Sequence, residues 1–159
     1  MSGLRIYKGE IQIFVGNLAA KQVSHLAAST YWKAILPNGS LVEPGTPGTL
    51  KYTKDFKIAT DTGAAGSTYT ANFGNLVAGT GVTTIPEILK ELFLAPVSGV
   101  THTGAFWINN EDERLPVVSG GYGDSSSAGP SALSLSGPRS SVWADLGFFS
   151  AFMELESAI

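Results

Sequence analysis

The chain has 159 residues, no cysteine and a formal net charge of −3, with 14% of its residues charged and 43% hydrophobic. That is one ordinary domain's worth of chain, enough to bury a core without staples, and the missing cysteine excludes disulfides, thiol nucleophiles and cysteine-ligated zinc. There is no basic stripe and no run approaching the roughly 18 apolar residues of a membrane helix, so neither a nucleic-acid partner nor a membrane partner is expected.

A typical soluble domain carries about a quarter charged residues. The low charged fraction leaves a surface rich in Ser, Thr, Gly and Ala, which is either neutral or partly covered by other protein. Cover fits better, because so few charges give a monomer little colloidal protection. The first residues, Met1-Ser2-Gly3-Leu4-Arg5, lead into a strand-like stretch rather than an apolar segment, so no signal peptide is expected.

In chain order, Leu4 to Val15 (LRIYKGEIQIFV) carries β-branched and aromatic residues in alternation, with Lys8-Gly9 as a break into two strands or a bulge. Leu18 to Ser29 is Ala-rich and its spacing fits a helix or a strand. Thr30 to Leu36 reads as a strand, and Pro37-Asn38-Gly39 as a turn. Pro44, Gly45, Pro47 and Gly48 make Leu41 to Thr49 an irregular loop. Lys51 to Thr60 (KYTKDFKIAT) alternates as one half-buried strand, and Asp61 to Ser67 as a flexible turn.

The firmest helix signal follows. Ile85, Ile88, Leu89, Leu92 and Phe93 form one apolar stripe on a 3.6-residue period, predicting a short amphipathic helix over about 84–94. Thr84 stands three residues before Glu87 as a capping box, Pro86 suits the first turn, and Pro96 stops the run. A helix this short is marginal alone, so the stripe is expected in the core or at a subunit contact. After it, Thr103 to Asn109 and Leu115 to Ser119 read as a hairpin around a polar turn. Gly120 to Gly129 (GGYGDSSSAG) reads as a long mobile loop and Ser131 to Ser136 as a strand. Val142 to Leu155 reads as a terminal strand bent at Gly147, with a helix as the rival. The fold class is therefore mainly β, an antiparallel β-sandwich or jelly-roll-like module in one domain, whose first 16 residues could serve as an assembly arm.

No catalytic set stands out. Glu111, Asp112 and Glu113 are adjacent but lack the spacing of a calcium loop, and read as a solvated turn. His25 and His102 lie far apart, each reading as an ordinary surface or hydrogen-bonded residue. The serines show no nucleophile elbow, and Gly120-Gly121-Tyr122-Gly123 no phosphate-loop Lys-Ser/Thr. No metal, cofactor or catalytic residue is expected. Trp32, Trp107 and Trp143 read as strand-core residues, which leaves Tyr122, in a loop, as the ligand-binding candidate.

The stretch from Thr68 to Pro96 carries an aromatic-Gly-Asn-Leu run, then Ala78-Gly79-Thr80, a Thr-rich entry, and Ile88-Leu89-Lys90-Glu91-Leu92-Phe93 before the proline. It resembles a segment of tailed-bacteriophage virion proteins such as head fibres, capsid decoration proteins and tail-fibre modules. The resemblance covers about a fifth of the chain and transfers no catalytic residue. It implies a non-enzymatic structural component of the virion that self-associates, expected as a homotrimer, and docks on other virion proteins. Ile85, Ile88, Leu89, Leu92 and Phe93 are the assembly candidates. The rival reading is a carbohydrate- or receptor-binding module using Tyr122.

Overall fold

The computed structural model describes residues 3–16, 28–61, 66–70, 72–118 and 122–141. Strand β1 (Leu4–Tyr7) and strand β2 (Glu10–Phe14) form a hairpin. Its two-residue connection takes positive φ at both Lys8 (+49°) and Gly9 (+84°). Such mirror-image turns match the twist of the flanking strands. Lysine is a poor choice there, and its N–H is held by the Asp112 carbonyl at 3.0 Å. A Cβ on Gly9 would come 3.2 Å from the Tyr52 carbonyl oxygen, so glycine suits the site both in backbone and in space.

Strands β3 (Trp32–Ile35) and β4 (Leu41–Val42) flank the Pro37-Asn38-Gly39 turn. In that turn Asn38 Oδ1 accepts the Ser40 N–H at 3.0 Å. The stretch expected as a single strand over 51–60 is instead a tight hairpin, β5 (Lys51–Thr53) and β6 (Lys57–Ala59). The chain reverses at Phe56, which takes φ +60°. No Gly, Pro or Asn marks this turn, so alternation alone conceals it. Strand β7 (Ser67–Thr70), a 3-10 turn (Phe73–Asn75) and β8 (Val77–Ala78) lead to helix α1 (Glu87–Glu91).

Helix α1 is shorter than its apolar stripe. Pro86 has ψ 143° and stands outside as the cap residue, with no side-chain cap bond, so the Thr84–Glu87 capping box does not form. The run ends when Phe93 takes φ +57°. After it come β9 (Phe106–Asn109), β10 (Glu113–Arg114), β11 (Val117–Val118), a 3-10 segment (Tyr122–Ser127) kinked at Ser125, and β12 (Leu133–Leu135).

The described strands make two sheets. The larger runs β10-β1-β2-β5-β6-β8, with β3 also on β2 and β4 on β3. The smaller runs β11-β12-β9-β7. Pairing is antiparallel except for β6 with β8 and β12 with β9. The molecule is thus mainly β and β-sandwich-like. The expected 103–119 hairpin does not form, because β9 pairs with β7 and β12. The chain then crosses at Asn110–Asp112 to place β10 on β1, and β11 returns to β12.

The core lies between the sheets. Ile6, Ile11, Ile13, Ile35, Tyr52 and Ile58 face Phe106, Ile108, Leu133 and Leu135, and Phe73, Leu76, Leu89 and Leu94 join them. Each sheet residue comes from alternate positions of its strand, the period that puts one face inward. Within the larger sheet β1 lies between β10 and β2, and β2 pairs with β1, β3 and β5. No helix among the described residues is long and apolar enough to cross a membrane. The expectations for 18–27, for His25, for the 62–65 turn and for the 142–155 segment with Trp143 lie outside the described residues.

Candidate interaction surface

Two regions carry side chains that the core does not explain. The first is the outer face of β1, β2 and β3. Registers Arg5↔Gln12, Gln12↔Ala34, Tyr7↔Glu10 and Phe14↔Trp32 place these residues on one face, opposite the core. Arg5 Nε donates to Gln12 Oε1 at 2.7 Å, and Gln12 Nε2 donates to Glu10 Oε2 at 2.5 Å. Glu10 also accepts the Thr49 hydroxyl at 2.6 Å and the Gly45 N–H at 3.1 Å. The Arg5 guanidinium lies 4.3 Å from the Trp32 ring centre and 5.5 Å from that of Tyr7, within the range of a cation–π contact.

Arg5 is also one of two arginines on Glu113. Its Nη1 meets Glu113 Oε1 at 3.0 Å, while Arg139 grips the same carboxylate with two bonds, of 2.7 and 2.8 Å. Burial draws the Arg5 guanidinium down from its ordinary value, against the pull of Glu113. The Arg139 bonds, with help from Arg5, hold Glu113 below the usual carboxylate range, against the opposing effect of its burial. Arg139 is raised by the same contact. Glu113, read from sequence as part of a solvated turn, is thus clamped between arginines. Its neighbour Asp112 takes φ +40°. Among the described residues, no three His, Asp or Glu side chains are placed to hold a metal.

His102 lies elsewhere, before β9. Its Nε2 is 3.0 Å from the Val97 carbonyl oxygen and its Nδ1 is 3.2 Å from Ser131 Oγ. A carbonyl only accepts, so Nε2 carries the proton and, in the neutral ring, Nδ1 accepts the serine hydroxyl. The pair ties the 97–102 loop to the turn before β12. The Ser131 N–H goes to the Thr103 carbonyl (3.3 Å) and the Ala132 N–H to the Gly129 carbonyl (3.0 Å), so neither stands ready for a developing oxyanion.

The second region is the end of α1. The five stripe residues do not share one environment. Leu89 is fully buried, while Ile85, Ile88 and Leu92 are half-buried against the core. Phe93 is 71% exposed. The turn itself is firmly anchored. The N–H groups of Leu94 and Ala95 both reach the Leu89 carbonyl, at 2.8 and 3.1 Å. The hydroxyl of fully buried Tyr52 donates to the Leu94 carbonyl, and burial pushes the phenol well above its ordinary value. Phe93 stands between these anchors in the left-handed region, which costs an L-residue roughly 1–2 kcal/mol. Val97 (45% exposed) and Val100 (56% exposed) follow within the same loop.

Sequence reasoning placed all five stripe residues on the helix and so missed that only Ile88 and Leu89 lie within it and that Phe93 stands mostly in solvent. It also passed over Val97 and Val100, whose signal was apolar side chains in a segment assigned to no element. The Arg5–Glu113 pair spans 108 residues and has no local signal. Tyr122 lies in the 3-10 segment before β12, and its side chain is outside the described residues. Of the tryptophans, Trp32 is 2% exposed beneath Arg5 and Trp107 is half-buried. No known protein family matches the chain, and no curated protein matches it either.

Proposed function

We propose that this protein is a non-enzymatic structural component of a bacteriophage particle, of the capsid-decoration or head-fibre type. It acts by self-association and by docking on the virion. The observation that carries the reading is the loop leaving α1, where Phe93 stands in solvent on a turn held by backbone hydrogen bonds and exposed Val97 and Val100 follow in the sequence. Exposed large apolar side chains grouped in one loop are a common mark of a protein contact. The likeness of the Thr68–Pro96 segment to virion proteins gives that contact its setting.

The test has two arms. Light scattering after size exclusion, over a dilution series, is expected to show a closed oligomer, a trimer by the sequence resemblance. Antibody against the protein is expected to label purified phage particles from the source culture. A monomer at every concentration together with unlabelled particles overturns the proposal.

The rival reading, a glycan- or receptor-binding module, draws on Tyr7 and Tyr31, both exposed, at the two ends of a ring-and-guanidinium row through Arg5, Trp32 and Phe14. A glycan array without binding, and unchanged by Tyr31→Ala, removes it.

A further inference from the structure

Of the six asparagines in the chain only Asn38, in the turn between β3 and β4, precedes a glycine. The carbonyl carbon of an asparagine side chain is open to attack by the backbone nitrogen of the next residue, and glycine there hinders least and moves most freely. Asn38 is exposed, and the space around Gly39 (φ +85°) is open. Three asparagines share one local geometry. Asn38 Oδ1 accepts the Ser40 N–H at 3.0 Å, Asn72 Oδ1 the Gly74 N–H at 2.7 Å, and Asn109 Oδ1 the Glu111 N–H at 2.8 Å. They differ in the residue whose nitrogen would attack, which is Gly39, Phe73 or Asn110. They differ in setting as well. Asn72 bridges to Gly104, and Asn109 lies in β9, which has β7 on one side and β12 on the other. Asn38 lies at the tip of a hairpin whose second strand, β4, has two residues and pairs with β3 alone.

We infer that Asn38 is a self-modification site, converted through a cyclic imide to aspartate and isoaspartate when the β3–β4 hairpin opens. In the closed turn the Gly39 N–H donates to the Leu36 carbonyl at 2.8 Å, and the Leu36 N–H donates to the Ser40 carbonyl at 2.9 Å. The attacking nitrogen is therefore tied down, and opening frees it. The Gly39 nitrogen then loses its proton and bonds to Asn38 Cγ. The Cγ–Nδ2 bond breaks, and Nδ2 leaves as ammonia with that proton. Water adds to one of the two ring carbonyls and opens the ring, to aspartate or to isoaspartate. Water is the co-reactant, and no electrons are exchanged with an outside group.

The hairpin is built to open before the rest of the sheet. Val42 is half-buried and stands outside the core, and the Lys33–Glu43 ion pair across the hairpin has a mostly exposed carboxylate, so it adds little. Segments with few buried contacts open locally at far lower cost than core strands. The product does not close as the parent did. Isoaspartate runs the main chain through the former side-chain carbonyl and lengthens it by one carbon. The Leu36–Ser40 closure then no longer fits, and the Ala34↔Val42 and Ile35↔Leu41 register depends on it. The result is a lasting release of β4 from the sheet edge, with one more negative charge on a chain of net −3. The inference is independent of the particle reading.

The experiment incubates the whole chain, folded and denatured in urea, and follows each asparagine by peptide mass spectrometry. In urea, Asn38 is expected to gain one mass unit at least tenfold faster than Asn72 or Asn109, because only its neighbour is glycine. In the folded chain Asn38 is still expected to lead, at least tenfold more slowly than in urea, because the turn must open first. Hydrogen exchange at the Gly39 amide is expected to show protection by the same factor, since both reactions need the same opening. Val42→Gly, which loosens β4, is expected to speed conversion at Asn38 and to leave Asn72 and Asn109 as they were. The proposal is overturned if folded Asn38 converts no faster than the other two, or as fast as it does in urea. A Gly39 protection factor that departs from the slowing of the reaction overturns the hairpin as its gate, and that comparison uses the wild-type chain alone.

Discussion

The outer face of β1, β2 and β3 buries Arg5, Glu10 and Gln12, whereas the loop leaving α1 exposes Phe93, Val97 and Val100. The first region holds polar groups away from water and the second holds apolar groups in it. Buried charge is tolerable only with fixed partners. Here the partners come from far along the chain, from the 45–49 loop onto Glu10 and from Glu113 and Arg139 around Arg5. Such a region joins distant segments of the chain. The apolar loop is the reverse case. Leu89, Leu94 and Ala95, which flank Phe93, are buried and bonded. The contrast separates a joint that makes the fold from a surface that the fold presents.

The change expected to do most damage strikes the base of that surface. Leu89→Asp puts a carboxylate into the apolar cluster that also holds Ile6, Tyr52 and Leu94, and an unpaired buried charge is costly. The prediction is a chain without a cooperative thermal transition by circular dichroism. Wild-type unfolding of this variant would place Leu89 outside the core and merge the two regions again.

Glu113→Ala attacks the joint. It leaves the Arg5 guanidinium buried without its carboxylate and releases Arg139, and removing one partner of a buried pair costs about 3 kcal/mol. Urea denaturation should show the midpoint falling at constant slope. The same carboxylate predicts an acid limb. Its folded pKa is depressed below the ordinary 4.5, so the unfolded chain binds its proton at higher pH than the folded one does. The stabilisation is complete above about pH 5 and is lost as pH falls through the folded value. Glu113→Gln should flatten stability against pH below 4.5. An unchanged acid limb in that variant would mean that other carboxylates set it.

Tyr52→Phe is gentler. The ring stays in place, and the Leu94 carbonyl loses its hydroxyl donor, which costs about 1–2 kcal/mol for a buried acceptor left unmade. A loss well under that range would show that the Leu94 turn is held by its bonds to Leu89 alone.

The β character was legible because alternation over Leu4–Val15, Thr30–Leu36 and Ser131–Ser136 is a local pattern, and strands lie within each of those stretches. The helix was legible from its stripe, but its length was not. Pro86 and Phe93 end it by backbone conformations that no periodicity reports. The β5–β6 turn was hidden for the same reason, with a phenylalanine where a glycine would have announced it. Pairing was the least legible layer. The crossing from β9 to β10 brings Glu113 to Arg5, and nothing within either segment names the other. Of the five stripe residues only Ile88 and Leu89 fall within α1, and Phe93 alone of the five stands mostly in solvent, because periodicity does not register the backbone conformations at Pro86 and Phe93.

The smallest effect is expected at Val97 and Val100, and it sharpens the contrast most. Each lies about half in water, so Val97→Ser or Val100→Ser removes little buried area and should change unfolding free energy by less than about 0.5 kcal/mol. A residue of the joint cannot be truncated that cheaply, because its bonds are internal. A residue of a presented surface can, because what it contributes is felt only when something covers it. The pair of serine variants should therefore leave the urea midpoint where it is while lowering the mass seen at high concentration. A midpoint that moved instead would show the loop to be packed against the rest of the chain in solution, and the apolar side chains would then belong to the fold and not to a contact.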